Sequence, residues 1–290
     1  MMRYKDLIEK IQEIVTEERG DFQKASRRVE QTYHALNTES ILEHLGFAGI
    51  IPEMFGHDST EEKLYAKYCD ILVAQSLTHL GISSKTILER ADAPDVEGTV
   101  SHKYKLVADA KAFRLSRTAK NQKDFKVESL AGWREDAKAD YALLVGPMYQ
   151  FPTVNSQIYE QSIDGNVAML SYTHLHFMIR SNSGGMKDVD LEDLWKAPGK
   201  LTSGKDAVDY WNRIDAAVKN LFGKPEESWT VSKKRSRDAL LEIGKEQIEY
   251  WRKKEESVRE LSHEQAVKQL IKALKIPAKI KTIQGTMEWS

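Results

Sequence analysis

One cysteine, Cys69, stands in 290 residues. That excludes an intrachain disulfide and a cysteine-rich zinc site, and a reducing compartment suits such a chain. Long apolar runs are missing as well. No stretch approaches the ~18 consecutive apolar residues that a membrane span needs. The opening Met1-Met2-Arg3-Tyr4-Lys5-Asp6 has no signal-peptide core. The expectation is a cytoplasmic protein with no membrane partner. Surplus charge is also missing. The net charge is −1, so any binding of nucleic acid has to come from local basic patches. Internal repeats and low-complexity segments are absent. What is present is 41% hydrophobic and 30% charged residues, with a mean hydropathy of −0.53. That supports a soluble chain with a sizeable core, as one large domain or two small ones.

Helical spacing opens the chain. Tyr4, Leu7, Ile8, Ile11, Ile14 and Val15 recur three and four apart over 3–19. A second helical stretch covers 21–45, broken near Asn37-Thr38. Gly46 to Gly56 reads as a loop. Ser59 with Glu62 three residues on reads as a capping box for a helix that closes at Gly81. Residues 82–100 read as irregular and hold Glu89, Asp92, Asp95 and Glu97. Strands are expected at His102–Asp109, Tyr141–Val145 and Val167–Ser171, and helices at Asp124–Lys138 and Asn155–Ile163. Strand alternating with helix at this spacing predicts an α/β layout around a mixed sheet. Beyond Gly184-Gly185 the chain reads as helical, with a long charge-laced helix over 233–261. Leu241, Ile248, Trp251 and Val258 line one side of it. Ser262 with Gln265 caps a last helix, ending before Pro277. His174 and His176 lie in an apolar run and read as structural.

The stretch that carries chemistry is Leu106-Val107-Ala108-Asp109-Ala110-Lys111. A short apolar, β-branched run reads as a buried strand. Side chains alternate along a strand, so Asp109 and Lys111 share a side, with Cα atoms roughly 6.5–7 Å apart. Such a pair is either a plain ion pair or a metal ligand beside a group that polarises water. Downstream, Arg114, Arg117, Lys120, Lys123 and Lys126 set five bases against one acid, Asp124, in thirteen residues, with Asn121 and Gln122 interleaved. An exposed basic loop explains this. So does a DNA contact, because Arg and Lys suit phosphates or guanine, Asn and Gln suit adenine, and Asp accepts from cytosine. Gly199 to Asp206 nearly matches a phosphate-binding P-loop. Its last position is Asp206 where Ser or Thr is needed, and no apolar strand precedes it, so no nucleotide cofactor is expected.

Pro94-Asp95, a gap of thirteen residues, then Asp109-x-Lys111 resembles the signature of the PD-(D/E)xK nucleases. The run Asp109 to Val127 is more specific. Together with Ser59-Thr60-Glu61-Glu62-Lys63-Leu64, Leu88-Glu89, Trp133-Arg134-Glu135-Asp136, Tyr141-Ala142, Phe151-Pro152-Thr153 and Ser156-Gln157-Ile158, it resembles the HindIII-like type II restriction endonucleases. The resemblance covers roughly residues 57–175 and weakens toward both ends. It implies a restriction-endonuclease-like core with a mixed sheet flanked by helices, within a single endonuclease domain over 1–290. A helical N-terminal region (1–56) would precede the catalytic core (57–180), and a helical C-terminal region (181–290) would follow. It implies sequence-specific cutting of double-stranded DNA by a homodimer, at a palindrome that would be AAGCTT if specificity carries over, with 5′ overhangs. It also implies Mg²⁺, with Mn²⁺ able to substitute.

Hard oxygen ligands suit such a metal. Asp109 is the first, Asp95 the second by its Pro-Asp setting, and the Ala110 carbonyl a third. Lys111 would orient or deprotonate the water. Glu89 matches an acidic position of the family pattern, and whether Glu89 or Asp95 is the closer ligand is open. Asp124 is either a base contact or a support for Lys111. Two other readings remain at this point: a structure-selective repair or junction nuclease of the same superfamily, and a DNA-binding module without catalysis.

Overall fold

Short polar side chains set where the first helices begin. The first, α1 (Tyr4–Glu17), buries Leu7, Ile11 and Ile14 along one face. Asp21 caps α2 (Phe22–Tyr33), accepting from the Lys24 amide at 3.2 Å. Asn37 caps α3 (Thr38–Leu45), accepting from the Ser40 amide at 2.8 Å. The helical stretch therefore breaks where the sequence indicated. A two-residue strand, β1 (Ile50–Ile51), follows inside the expected loop. Ser59 caps α4 (Thr60–His79), accepting from the Glu62 amide at 3.2 Å. The other half of the expected box differs: Glu62 Oε2 accepts from the amide of Asp58 at 2.6 Å. Asp58 sits at φ 59°, in the left-handed region.

The computed structural model describes residues 4–87, 93–101, 103–117, 122–182, 189–200, 205–223 and 226–287. The chain falls into two compact units, Met1–Ile243 and Gly244–Ser290. The first holds a five-stranded sheet. Its strands are β2 (Ser83–Thr86), β3 (Val96–Val100), β4 (Tyr104–Ala110), then, past the short β5 (Phe113–Arg114) and the helix α5 (Val127–Asp136), β6 (Tyr141–Gly146). The helix α6 (Gln157–Asp164) leads to β7 (Val167–Ser171). The order is β2-β3-β4-β6-β7. The β2–β3 and β3–β4 pairs are antiparallel, β4–β6 and β6–β7 parallel. Parallel neighbours need a crossover, and α5 and α6 supply the two. All five residues of β7 are buried, as expected for a strand covered on both faces. α4 packs on β2, β3 and β4, and α5 on β4 and β6.

Residues 82–100 contain two strands where an irregular stretch was expected. Ser83-Ser84-Lys85-Thr86 is an edge strand of polar residues, held by its ladder to β3 rather than by its own propensity. In β3, Val96, Gly98 and Val100 are buried while Glu97 and Thr99 are more open. That period of two was visible, but a central glycine weakens the signal.

The helix α7 (Tyr172–Ser181) begins at Ser171, which forms a capping box with His174. His174 Nε2 lies 2.9 Å from Asp215 Oδ1 and its Nδ1 2.7 Å from Ser171 Oγ. The ring is fully buried, so this chain of groups is a helix cap. His176 Nδ1 meets Ser232 Oγ at 3.0 Å. Burial lowers the His176 pKa to about 4, with Arg180 and Arg235 adding to it. Both histidines are structural, as their apolar setting indicated. After α8 (Asp193–Lys196), Asp206 caps α9 (Ala207–Phe222), accepting from the Asp209 amide at 3.0 Å. Part of the P-loop-like stretch, residues 201–204, lies outside the described residues.

The long helix is α10 (Glu226–Arg259). Its residues to Ile243 belong to the first unit, and the rest belong to the second. The second unit continues with α11 (His263–Ala273), which has the expected Ser262–Gln265 capping box. A further helix, α12 (Ile276–Met287), follows where no more were expected. Pro277 falls in its first turn, where a missing amide costs nothing. Among the described residues, no helix is long and apolar enough to cross a membrane.

Candidate active site

The ladder between β3 and β4 pairs Val96 with Ala108. Asp95 stands one step before this pair and Asp109 one step after it, which brings the two carboxyl groups near enough to act on each other. Burial, then the hydrogen bond and charge of Asp109, push Asp95 up to about 7. Asp109 is only 3% exposed and lies on the strand next to Leu144 of β6. Lys111 Nζ is in ion-pair contact with Asp109 Oδ2. The contact lacks hydrogen-bond geometry, so Oδ2 is buried without a hydrogen-bonding partner among the described residues.

The main chain of Lys111 is held from both sides. Its amide donates to Val145 O at 2.7 Å. Its carbonyl accepts from Tyr172 OH at 3.0 Å. Just beyond, the Phe113 amide donates to Gly49 O at 2.9 Å, and β5 runs parallel to β1 with Ile50 beside Phe113 and Ile51 beside Arg114. The fixed backbone places a lysine and a carboxylate together at the end of a buried strand.

The basic segment is anchored at its start by carboxylates. Arg114 donates to Glu62 Oε1 at 2.6 Å and to Phe55 O at 2.7 Å. Glu53, 5% exposed, accepts from the Ser116 amide at 2.9 Å and from its hydroxyl at 2.7 Å. Arg117 lies over the Phe113 ring, 4.0 Å from its centroid, and pairs with Asp124. At the far end Phe125 is buried and stacks on Phe151 at 4.7 Å. Lys123, Asp124 and Lys126 are exposed. Glu89, Lys120 and Asn121 lie outside the described residues, and Gln122 opens a short 3₁₀ turn, Gln122–Phe125.

Two buried charges on α4 escaped sequence reasoning. Asp70 is 5% exposed and Lys67 9%. Asp70 interacts electrostatically with Asp95, Asp109, Lys67 and Lys111, and burial, reinforced by Asp95, raises its pKa well above the usual carboxylate range. The available signal was a lysine and an aspartate three apart inside Leu64–Leu77, a stretch otherwise apolar or aromatic over most of its length.

Comparison with known proteins decides what this geometry belongs to. The family model of the HindIII restriction endonuclease matches residues 5–287. The type II restriction enzyme HindIII of Haemophilus influenzae is 35% identical over 270 residues, covering 91% of this chain and 89% of that protein. The chain belongs to the HindIII restriction endonuclease family. This HindIII-family protein is accordingly a type II restriction endonuclease, a site-specific deoxyribonuclease, and its substrate is DNA. Enzymes of this type generally use a divalent metal. Its site suits one. Asp95 and Asp109 bring hard oxygens near each other, and the buried Asp109 Oδ2, in ion-pair contact with Lys111, lacks a hydrogen-bonding partner among the described residues.

Proposed function

We propose that this enzyme hydrolyses both strands of duplex DNA at a short palindrome, as a two-fold homodimer in the cytoplasm, with Mg²⁺ held by Asp95, Asp109 and the Ala110 carbonyl. Mn²⁺ substitutes. The observation that carries the reading is the half-buried Asp95 beside the buried Asp109, with Lys111 in contact with Asp109. A bound divalent cation acidifies water and offsets charge on the phosphate. The protein's part is positional. Asp109 and Asp95 present oxygens from adjacent strands. Lys111, fixed by Val145 and Tyr172, orients the attacking water and balances the developing negative charge on phosphorus's oxygens. The palindrome follows from symmetry, because an isologous dimer presents the same surface twice. AAGCTT, cut to leave 5′ overhangs, is the site proposed from the family relationship. Glu89 is a further candidate ligand on the family pattern.

Incubation of the purified enzyme with phage DNA and Mg²⁺ should give discrete fragments, and excess EDTA should abolish them. Ca²⁺, with more ligands in looser geometry, should support binding more than cutting. Sedimentation should give a dimer. Cutting only at junctions, or in EDTA, would overturn the reading.

DNA contact is assigned to the segment Arg114 to Lys126. Its starting arginine is occupied by Glu62 and Phe55, which supports a role for Arg114 in shaping the segment. Arg117, Lys120 and Lys126 are assigned to phosphates, and Asn121, Gln122, Lys123 and Asp124 to base edges. The pairing of Asp124 with Arg117 supports a base contact that is held ready. Lys126→Ala should weaken cognate and scrambled duplexes alike and reduce the salt slope by about one unit. Asp124→Ala should cost on the order of 1–3 kcal/mol on the cognate site and little elsewhere. Binding titrations on both duplexes across salt concentrations measure this. An unchanged cognate-to-scrambled ratio for Asp124→Ala would place base reading elsewhere.

A further inference from the structure

The strands supply two carboxylates to the site, but a third comes from the helix that packs across them. α4 lies on β3, which Asp95 immediately precedes, and on β4, which bears Asp109. Lys67 and Asp70 are one turn apart on it, and both are buried. A buried pair of this kind is expected to close on itself, because each charge loses its water. This pair does not. Lys67 Nζ lies 3.9 Å from Asp70 Oδ2, beyond hydrogen-bond distance. The ammonium instead donates to Ile87 O at 2.9 Å. Ile87 in turn donates its amide to Asp95 O at 2.8 Å. Lys67 therefore ties α4 to the backbone on which Asp95 is mounted. The Asp70 carboxylate, 5% exposed, is left without a close partner in Lys67 and feels the charges of Asp95, Asp109 and Lys111.

We infer that Asp70 is a third carboxylate of the cation site, contributed by α4, and that Lys67 positions it while bracing the segment that carries Asp95. This rests on the reading of Asp95 and Asp109 as metal ligands. Two further observations support it. Asp109, 3% exposed, has a buried oxygen with no hydrogen-bonding partner among the described residues. The charges also balance. With all three carboxylates ionised, as cation binding requires, Asp70, Asp95 and Asp109 against Lys67 and Lys111 leave one surplus negative charge. A divalent cation turns this into one surplus positive charge, which a single phosphodiester cancels. Without Asp70, the loaded site would carry an extra positive charge before DNA arrived.

The test is a Mn²⁺ titration of the full-length enzyme without DNA, read by calorimetry and by melting temperature. The native enzyme should bind Mn²⁺ and melt higher as Mn²⁺ is added. Asp70→Asn should bind Mn²⁺ at least about tenfold more weakly, about 1.4 kcal/mol. In EDTA it should melt close to the native protein, because burial already holds the metal-free Asp70 toward its neutral form, which Asn mimics. Asp70→Glu should keep the charge but displace the oxygens, giving an affinity between the other two. A role confined to packing would give the opposite pattern, a lower melting temperature in EDTA and native Mn²⁺ affinity, and that result overturns the inference. If Asp70→Asn does not fold, Asp70→Glu decides alone: native affinity in that variant overturns the assignment. Absence of any Mn²⁺ response in the native enzyme would instead remove the metal-site reading on which this rests.

Discussion

Asp109→Ala and Lys111→Ala should each slow cleavage by at least about 10³-fold, about 4 kcal/mol of transition-state stabilisation, while duplex binding in Ca²⁺ stays close to native. The two side chains are in contact at the C-terminal end of β4, and neither belongs to the basic segment from which most affinity should come. Stability complicates each single change, because removing one partner of a buried pair leaves the other charge uncompensated, typically at about 3–5 kcal/mol. Asp109→Asn combined with Lys111→Met removes both charges at similar volume. The double variant should recover most of the melting temperature and none of the cutting. Single-turnover cleavage and gel-shift titration measure the two quantities separately. Near-native cleavage by either alanine variant would end the assignment of this pair to catalysis.

Gly49→Ala should damage the enzyme from a position that carries no functional group. Gly49 has φ 79°, in the left-handed region. A Cβ there would stand 2.5 Å from Tyr172 Cε2, 3.1 Å from Pro147 Cδ and 3.2 Å from the Lys111 carbonyl oxygen. The left-handed backbone costs about 1–2 kcal/mol for any L-residue. Forcing a side chain into a filled space adds about 1–3 kcal/mol. Tyr172 must shift, and its hydroxyl is the group that holds the Lys111 carbonyl. The expected result is a melting temperature lower by on the order of 10 °C and a cleavage rate reduced by more than the loss of folded protein explains. Gly20→Ala is the control. Gly20 has φ 76° but nothing within 4 Å of its missing Cβ, so it should show the backbone cost alone. Equal losses in the two variants would mean that the contact with Tyr172 is without consequence.

The parts of this enzyme that were legible in its sequence are those with a local cause. The caps at Ser59 and Ser262 each need only a side chain and an amide three residues away. The apolar runs of β4, β6 and β7 announce burial on both faces. Asp109 and Lys111 could be paired because strand alternation relates residues two apart. What escaped depends on partners distant in the chain. Ser83–Thr86 is a strand only because Val96–Thr99 lies beside it. Asp70 could be placed near Asp95 and Asp109 only once α4 was known to cross their strands. Glu62 read as the far half of a capping box and Glu53 drew no reading, yet they are the clasp for Arg114 and Ser116. A carboxylate more than fifty residues away leaves no periodic trace. The family pattern reached further than periodicity could, since it supplied Asp95 and the basic segment as parts of one site.

The solitary thiol gives this enzyme a built-in reporter. Cys69 is fully buried on α4, and burial pushes its thiol up to about 12. Gly49 and Tyr172 are near enough to moderate that shift, and the Tyr172 hydroxyl is the group that holds the Lys111 carbonyl. In the folded enzyme it is shielded from alkylating reagents, because the thiolate is the reactive form and the atom has no access to solvent. A maleimide therefore labels native protein only at cysteines added by design, with no need to remove the original one. On partial opening, the same reagent times the exposure of α4 at Cys69, in the layer that packs on β4, without a spectroscopic probe.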